Sequence, residues 1–273
     1  MITVLGESLV DVVRSADGRV RRHPGGSPAN VAVGLARLGH GVRLRTAFGD
    51  DADGALLAAA FERDGVQVLR AVTAATSTAT AHLDATGAAG YEFSLLPDPD
   101  PQLPAELGEC LHTGSLAALV PAAAERSAAL LRAARGRAAV SFDPNCRPAL
   151  MGEPADVRAR VAEHVAASDV VKASAEDVAW LHPGEDVRAV ARRWAGLGPA
   201  LVVVTDGGAG CTAVAAAGEV AVPALPVAVA DTVGAGDSFT SALLDALSRR
   251  GALGADSRER IARLDAAEIA DVL

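Results

Sequence analysis

The chain has 273 residues, half of them hydrophobic but only 3% aromatic, and a formal net charge of −9. That length suits one large α/β domain whose core rests on Ala, Val and Leu, and the acidic balance argues against a nucleic-acid or anionic-membrane partner. Cys110, Cys146 and Cys211 lack metal-ligand spacing, and their odd number argues against a disulfide framework, so a reducing cytoplasm is expected.

Met1 runs directly into a strand-like Ile2–Leu5 with no basic leader region, and no apolar run reaches the about 18–20 residues that span a bilayer. Strand-like pieces over residues 9–20 flank the turn-prone Ser15-Ala-Asp-Gly18. A helix should follow, capped by Ser27, with Pro28 in its first position and Gly39 at its end. Its Val31, Gly34, Leu35 and Leu38 share one face. Further strands are expected at 42–47, 138–142, 169–172, 201–205 and 212–216. Helices are expected at 52–64, 121–135, 155–166, 175–181 (capped by Ser174), 186–196 and 238–250. This alternation predicts a sheet covered by helices. A hairpin over 78–83 and 91–95, turning around Gly87 and Gly90, breaks the pattern, and its alternation predicts a separate half-exposed antiparallel sheet. Pattern alone leaves open whether it is a lid or a surface hairpin. Pro97–Pro104 reads as a stiff connector.

The densest chemical signal is Asp231-Thr-Val-Gly-Ala-Gly-Asp-Ser-Phe239. Gly234 and Gly236 permit close approach of a ligand to backbone at a helix start, where free N–H groups and the dipole favour an anion. An acid inside such a cradle suits a base that takes a proton from an attacking hydroxyl, which makes Asp237 a candidate general base in phosphoryl transfer. The plainer alternative is a helix-capping Asp. Gly25-Gly26-Ser-Pro-Ala-Asn30 combines close backbone approach with an amide that can both donate to and accept from hydroxyls. Phe142-Asp-Pro-Asn-Cys-Arg-Pro148 follows a buried-looking strand, at the end where open α/β sheets gather ligands. Its Arg147 could pair with a phosphate or carboxylate, or form a structural ion pair. Without further context Gly207-Gly208 reads as a hairpin turn, and Arg19-Val-Arg-Arg22 as a solvated face.

These runs resemble the two signatures of the PfkB (ribokinase-like) family of carbohydrate kinases: Asp-Thr-x-Gly-Ala-Gly-Asp-x-Phe near the C-terminus, and Gly-Gly-x-x-x-Asn before a helix ending Leu-Gly near the N-terminus. The resemblance implies a three-layer α/β/α fold over residues 1–273, with a mostly parallel central sheet and a small β lid from segments of about 9–24 and 77–97. It makes Asp237 the base and Gly234, Ala235 and Gly236 the anion hole. Gly25, Gly26, Asn30 and Asp11 would line the sugar site, with Arg147 from the Asp-Pro-Asn-x-Arg-Pro run of fructokinase-like members. Lys172-Ala-Ser-Ala-Glu-Asp177 resembles a segment that organises Mg²⁺, through Asp177 or Glu176 by way of water, with Ser174 at the nucleotide phosphates. Thr205, Gly207 and Gly210 resemble the nucleotide-binding strand end, and Asp231 with the Val233 carbonyl resembles half of a K⁺ site.

The implied reaction transfers the γ-phosphoryl of ATP to a sugar, with fructose first, 2-keto-3-deoxygluconate second and ribose or a nucleoside third. A homodimer through the lid is implied as well. The rival from another class is a non-catalytic sugar-binding protein on the same scaffold. Family members continue past the catalytic helix with elements that enclose adenine. Here only Gly251–Leu273 follow, ending in a helix from Ala266 without a stop signal, so the C-terminal part of the family domain is expected to be missing and the adenine pocket open.

Overall fold

The computed structural model describes residues 1–15, 17–83, 89–96, 102–229 and 231–273. In chain order its strands are β1 (Ile2–Leu5), β2 (Leu9–Arg14), β3 (Val20–Gly25), β4 (Val42–Gly49), β5 (Gln67–Thr73), β6 (Thr78–Leu83), β7 (Ala89–Ser94), β8 (Cys110–Gly114), β9 (Ala139–Asp143), β10 (Val170–Ser174), β11 (Leu201–Thr205), β12 (Cys211–Ala215) and β13 (Gly218–Val222). Its helices are α1 (Ser27–Arg37), α2 (Ala52–Arg63), α3 (Ser115–Leu119), α4 (Pro121–Ala134), α5 (Pro148–Met151), α6 (Pro154–Ala167), α7 (Ala175–Leu181), α8 (Val187–Ala195), α9 (Ala235–Arg249), α10 (Ser257–Ala262) and α11 (Ala266–Asp271).

Nine strands form one sheet in the order β13-β12-β11-β10-β9-β8-β1-β4-β5. Every pairing from β11 to β5 is parallel, and the β11–β12 and β12–β13 pairings are antiparallel. Central strands such as β9 are buried throughout, as a parallel sheet covered on both faces requires. On one face, Val31 and Leu35 of α1 and Leu243 and Leu247 of α9 pack over Ile2, Val4, Cys110 and Ala139. On the other, Val157, Val161, Leu181 and Trp194 from α6, α7 and α8 cover Phe142, Val171 and Val202.

The contact between α1 and α9 sets the site. A Cβ on Gly34 would lie 2.4 Å from Ser241 Oγ, so only glycine lets the two helices come this close. Ser241 Oγ donates to the Val31 and Asp237 carbonyls (3.2 and 2.8 Å), tying the helices across the seam.

The second sheet, in the order β3-β2-β6-β7, stands apart. Its β2–β3 and β6–β7 pairs are antiparallel and β2–β6 is parallel, so the expected hairpin joins the early strands to make one small sheet. Residues 19–22 are exposed throughout, the solvated face expected of them, and Arg22 of β3 pairs at the surface with Asp53 of α2 at 2.6 Å. The turn around Gly87, Ala16 of the first turn, and Pro97–Pro101 of the connector lie outside the described residues.

Two local expectations are corrected. Ser27 does not cap α1: Gly26, at φ 100°, is the cap residue and Ser27 is the first helical residue, its hydroxyl turned elsewhere. α9 starts at Ala235 rather than Ser238, because Gly234 takes the left-handed conformation (φ 74°) and the Ala235 N–H closes a turn onto the Thr232 carbonyl. The helix expected from Ala266 is α11; it opens with a capping box between Asp265 and Glu268, and Ile269 joins the core. Strands β5, β8 and β13 and helices α3, α5 and α10 were not expected from the sequence pattern. β8 and β13 are short, and the exposed β5 lacks a clean alternation.

Candidate active site

The parallel strands β9, β10 and β11 end at Asp143, Ser174 and Thr205, and α9 begins beside them. Asp237 is the third residue of α9 and is 6% exposed. At this position it sits among N–H groups that no carbonyl within the helix can reach. Its carboxylate is held from three sides. Ser27 Oγ donates to Oδ1 at 2.7 Å, Asn30 Nδ2 donates to Oδ2 at 2.8 Å, and Asn145 Nδ2 reaches Oδ1 at 3.4 Å. The first two donors lie one helical turn apart on α1, so its first turn and that of α9 meet at this carboxylate.

Gly25 and Gly26 are glycines for steric reasons. A Cβ on Gly25 would lie 2.1 Å from Asp11 Oδ2, and one on Gly26 would lie 2.6 Å from the Glu7 carbonyl. The backbone entering α1 is therefore pressed against the lid strand that carries Asp11. Burial pushes the Asp11 carboxyl above its ordinary value, while the charges of Arg147 and His23 pull it back. Arg147 is exposed; its Nη1 donates to Asn145 Oδ1 (2.7 Å) and to the Cys146 carbonyl (2.9 Å). Asn145, at φ 34°, thus stands between Arg147 and Asp237. It and Ser27 are site residues that sequence reasoning missed. The Asn in Asp143-Pro-Asn145 was the available signal; nothing in the sequence pairs Ser27 with Asp237.

Beneath the turn that opens α9 lies a buried ion pair. Lys172 Nζ donates to Asp143 Oδ2 at 3.0 Å, with the two side chains 5% and 1% exposed. Asp143 also accepts from Thr240 Oγ1 (3.3 Å) and from the Asn145 N–H (3.1 Å). Burial alone would lower the Lys172 pKa, but the charge and hydrogen bond of Asp143 outweigh it and raise the ammonium above its ordinary range. Burial pushes the Asp143 carboxyl above its ordinary value, while the charge and hydrogen bond of Lys172 pull it back down.

Other expected site residues fall differently. Gly234, Ala235 and Gly236 do form the turn at the start of α9, but the Ala235 N–H is engaged by the Thr232 carbonyl at 3.1 Å. The amides of Gly234, Gly236 and Asp237 are left without helical partners. Asp177 is turned inward as the other half of a capping box with Ser174. Its Oδ2 accepts from Ser174 N and Oγ (2.9 and 2.8 Å), and its Oδ1 accepts from the Cys146 N–H at 2.7 Å. Through these bonds Asp177 fixes the 145–147 turn to α7, and the Ser174 hydroxyl donates to Asp177. Glu176, its neighbour, is exposed. Thr205 ends β11 with Oγ1 directed at the Ala173 carbonyl (3.4 Å), and Gly207 begins a single 3₁₀ turn leading into β12. Gly210, at φ 98°, must be glycine because a Cβ would strike the Val222 carbonyl. Asp231 accepts from the Val233 N–H at 3.0 Å in the exposed loop before α9.

Such an arrangement can remove a proton at one buried carboxylate and seat an anion on adjacent free amides, with the small sheet's Asp11 beside the turn that enters α1. Comparison with known proteins agrees. Residues 1–264 match the pfkB family of carbohydrate kinases. The chain belongs to that family and is a carbohydrate kinase.

Among curated relatives, a fructokinase of Klebsiella pneumoniae is 38% identical over 92% of this chain and 85% of its own length. Among solved structures, an ATP-bound fructokinase from Xylella fastidiosa superposes with a TM-score of 0.84 at 26% identity, covering 99% of this chain and 88% of its own. An aminoimidazole riboside kinase from Salmonella enterica, complexed with aminoimidazole riboside and an ATP analogue, superposes with a TM-score of 0.77 at 28% identity, covering 96% of this chain and 89% of its own.

Proposed function

We propose that this kinase is a fructokinase: it transfers the γ-phosphoryl of ATP to a hydroxyl of fructose, with Asp237 as the general base. The observation that carries the reading is the buried Asp237 carboxylate, fixed by Ser27 and Asn30 at the free-amide end of α9. Curated fructokinases among the relatives support the choice of sugar. The sugar lies between the lid and the Gly25–Asn30 turn, its hydroxyls bonded by Asp11 and Asn30. Asp237 takes the proton of the attacking hydroxyl as its oxygen bonds to the γ-phosphorus. The bond from that phosphorus to the bridging oxygen breaks, and ADP leaves with the electron pair. The Gly236 and Asp237 amides, with Gly234 allowing close approach, hold the equatorial oxygens during transfer; positioning and charge, not covalent chemistry, set the rate. Lid closure keeps water from the γ-phosphate.

Among the described residues no three His, Cys, Asp or Glu side chains cluster to hold a metal. Mg²⁺ needs no such cluster, since it keeps several waters and leans on substrate phosphates. Glu176 or Asp177 would hold it through water, and it would supply charge neutralisation at the phosphates. The ribose and phosphates of ATP lie along Thr205, Gly207 and Gly210, and Asp231 with the Val233 carbonyl would hold a K⁺ ion, whose charge would support the loop before α9. The same reading includes a cytoplasmic location, one kinase domain over 1–273 and a homodimer formed through the lid edges β3 and β7. No helix among the described residues is long and apolar enough to cross a membrane.

A coupled ADP-release assay over fructose, 2-keto-3-deoxygluconate, ribose and aminoimidazole riboside, with Mg²⁺ and with or without K⁺, tests the reading. Fructose should give the highest kcat/KM. A riboside winner, which the Salmonella neighbour makes the second reading, would replace fructose. Sugar binding without ADP release would point to the non-catalytic alternative.

A further inference from the structure

The buried Lys172–Asp143 pair lies outside the mechanism just given, and its position is specific. A Cβ added to Gly236 would lie 2.8 Å from Lys172 Nζ, so the ammonium packs directly against the glycine whose amide is free at the start of α9. Thr240 Oγ1 closes the network, touching Asp143 Oδ2 (3.3 Å) and the Gly236 carbonyl (3.1 Å). The charged groups within electrostatic reach of Lys172 are the carboxylates of Asp143, Asp177 and Asp237; His112 on β8, also close, is held neutral by burial. Three carboxylates around one ammonium make a poor seat for a polyphosphate unless that ammonium is held where the phosphoryl arrives. A buried ion pair is also weak as a stabilising device, since an apolar pair of similar volume is commonly as stable or more so.

We infer that Lys172 is a positioning residue that supplies the fixed positive charge behind the Gly236 turn, and so favours the γ-phosphoryl of ATP and its transfer. Asp143 and Thr240 hold the ammonium in place, and Gly236 is glycine partly to admit it. The inference rests on the kinase reading above, and one of its tests does not need turnover.

The variants are Lys172→Met and the double variant Lys172→Met/Asp143→Leu, which replaces the pair by apolar groups and leaves no lone buried charge. The double variant should fold, with a melting temperature near that of the wild type. Its kcat should fall by about 10²–10³-fold, the loss typical of removing one electrostatic contact to a developing oxyanion, while the KM for sugar moves by less than about threefold. Its preference for ATP over ADP, measured by calorimetry with each nucleotide alone, should fall by about fivefold or more, because the lost charge acts on the γ-phosphate. If Lys172 serves only to neutralise Asp143, the double variant regains kcat to within about threefold of wild type and keeps the ATP preference. That result overturns the inference, as does a double variant that cannot fold, which would make the pair structural. A wild type inactive on every sugar would fail the kinase reading separately, while the ATP-to-ADP comparison would still decide the role of Lys172.

Discussion

At the residue scale the account turns on how one carboxylate is held. Ser27 and Asn30 fix the two oxygens of Asp237 from a single turn of α1, and Asn145 approaches from a third direction. Removing one such bond leaves the carboxylate present but free to rotate. Ser27→Ala is therefore expected to lower kcat by about tenfold with little change in sugar KM, the pattern of a misplaced catalytic group. Equal losses in kcat and in sugar affinity would instead make Ser27 a sugar contact. His112 offers a test of the buried polar layer below the site. Burial holds its folded pKa down to about 3, below the ordinary 6.5, with the nearby Lys172 charge adding to the effect. Between those values the unfolded chain binds more protons than the folded one, so stability falls as pH drops from about 6.5 towards 3. His112→Gln should flatten the acid limb of a denaturant-melt series between pH 7 and 4.5 by up to about 1.4 kcal/mol per pH unit. An unchanged slope would mean that His112 is not buried neutral.

At the scale of elements, the seam between α1 and α9 brings the N-terminal and C-terminal signatures together. Gly34→Ala puts a methyl 2.4 Å from Ser241 Oγ and must push the helices apart. We expect a loss of about 1–3 kcal/mol in stability, by chemical denaturation, and a fall in kcat larger than that of a stability-matched surface variant. Unchanged kcat would show that the seam does not set the site. Much of this was legible in the sequence. The first helix, its proline and glycine punctuation, most buried strands and both signature turns could be read from local pattern, because local sterics and periodicity determine them. What escaped depends on contacts between distant segments. The hydroxyl of Ser27 looked like a cap because nothing near it in sequence announces Asp237. Asp177 looked like a metal-site acid, and nothing near it in sequence announces that it also binds the Cys146 amide. Ala235 looked like part of the anion hole, but a turn that begins at Thr232 occupies its N–H.

Across the whole molecule, the body built on the nine-stranded sheet carries Asp237 and the turn that opens α9, and the four-stranded sheet carries Asp11 beside the turn that enters α1. The division suits a reaction in which sugar binds under the small sheet and closure removes water before transfer. The resemblance to pfkB kinases runs from the first strand to residue 264, so body and lid belong to the family pattern alike. The central claim is that the carboxylate of Asp237 takes the proton from the sugar, and Asp237→Asn tests it with least ambiguity: the amide keeps the size of the side chain and loses the base. With fructose, ATP and Mg²⁺, the variant should release ADP at least about 10²–10⁴-fold more slowly than wild type while binding fructose within about threefold of wild-type affinity. Turnover within about tenfold of wild type would contradict the account.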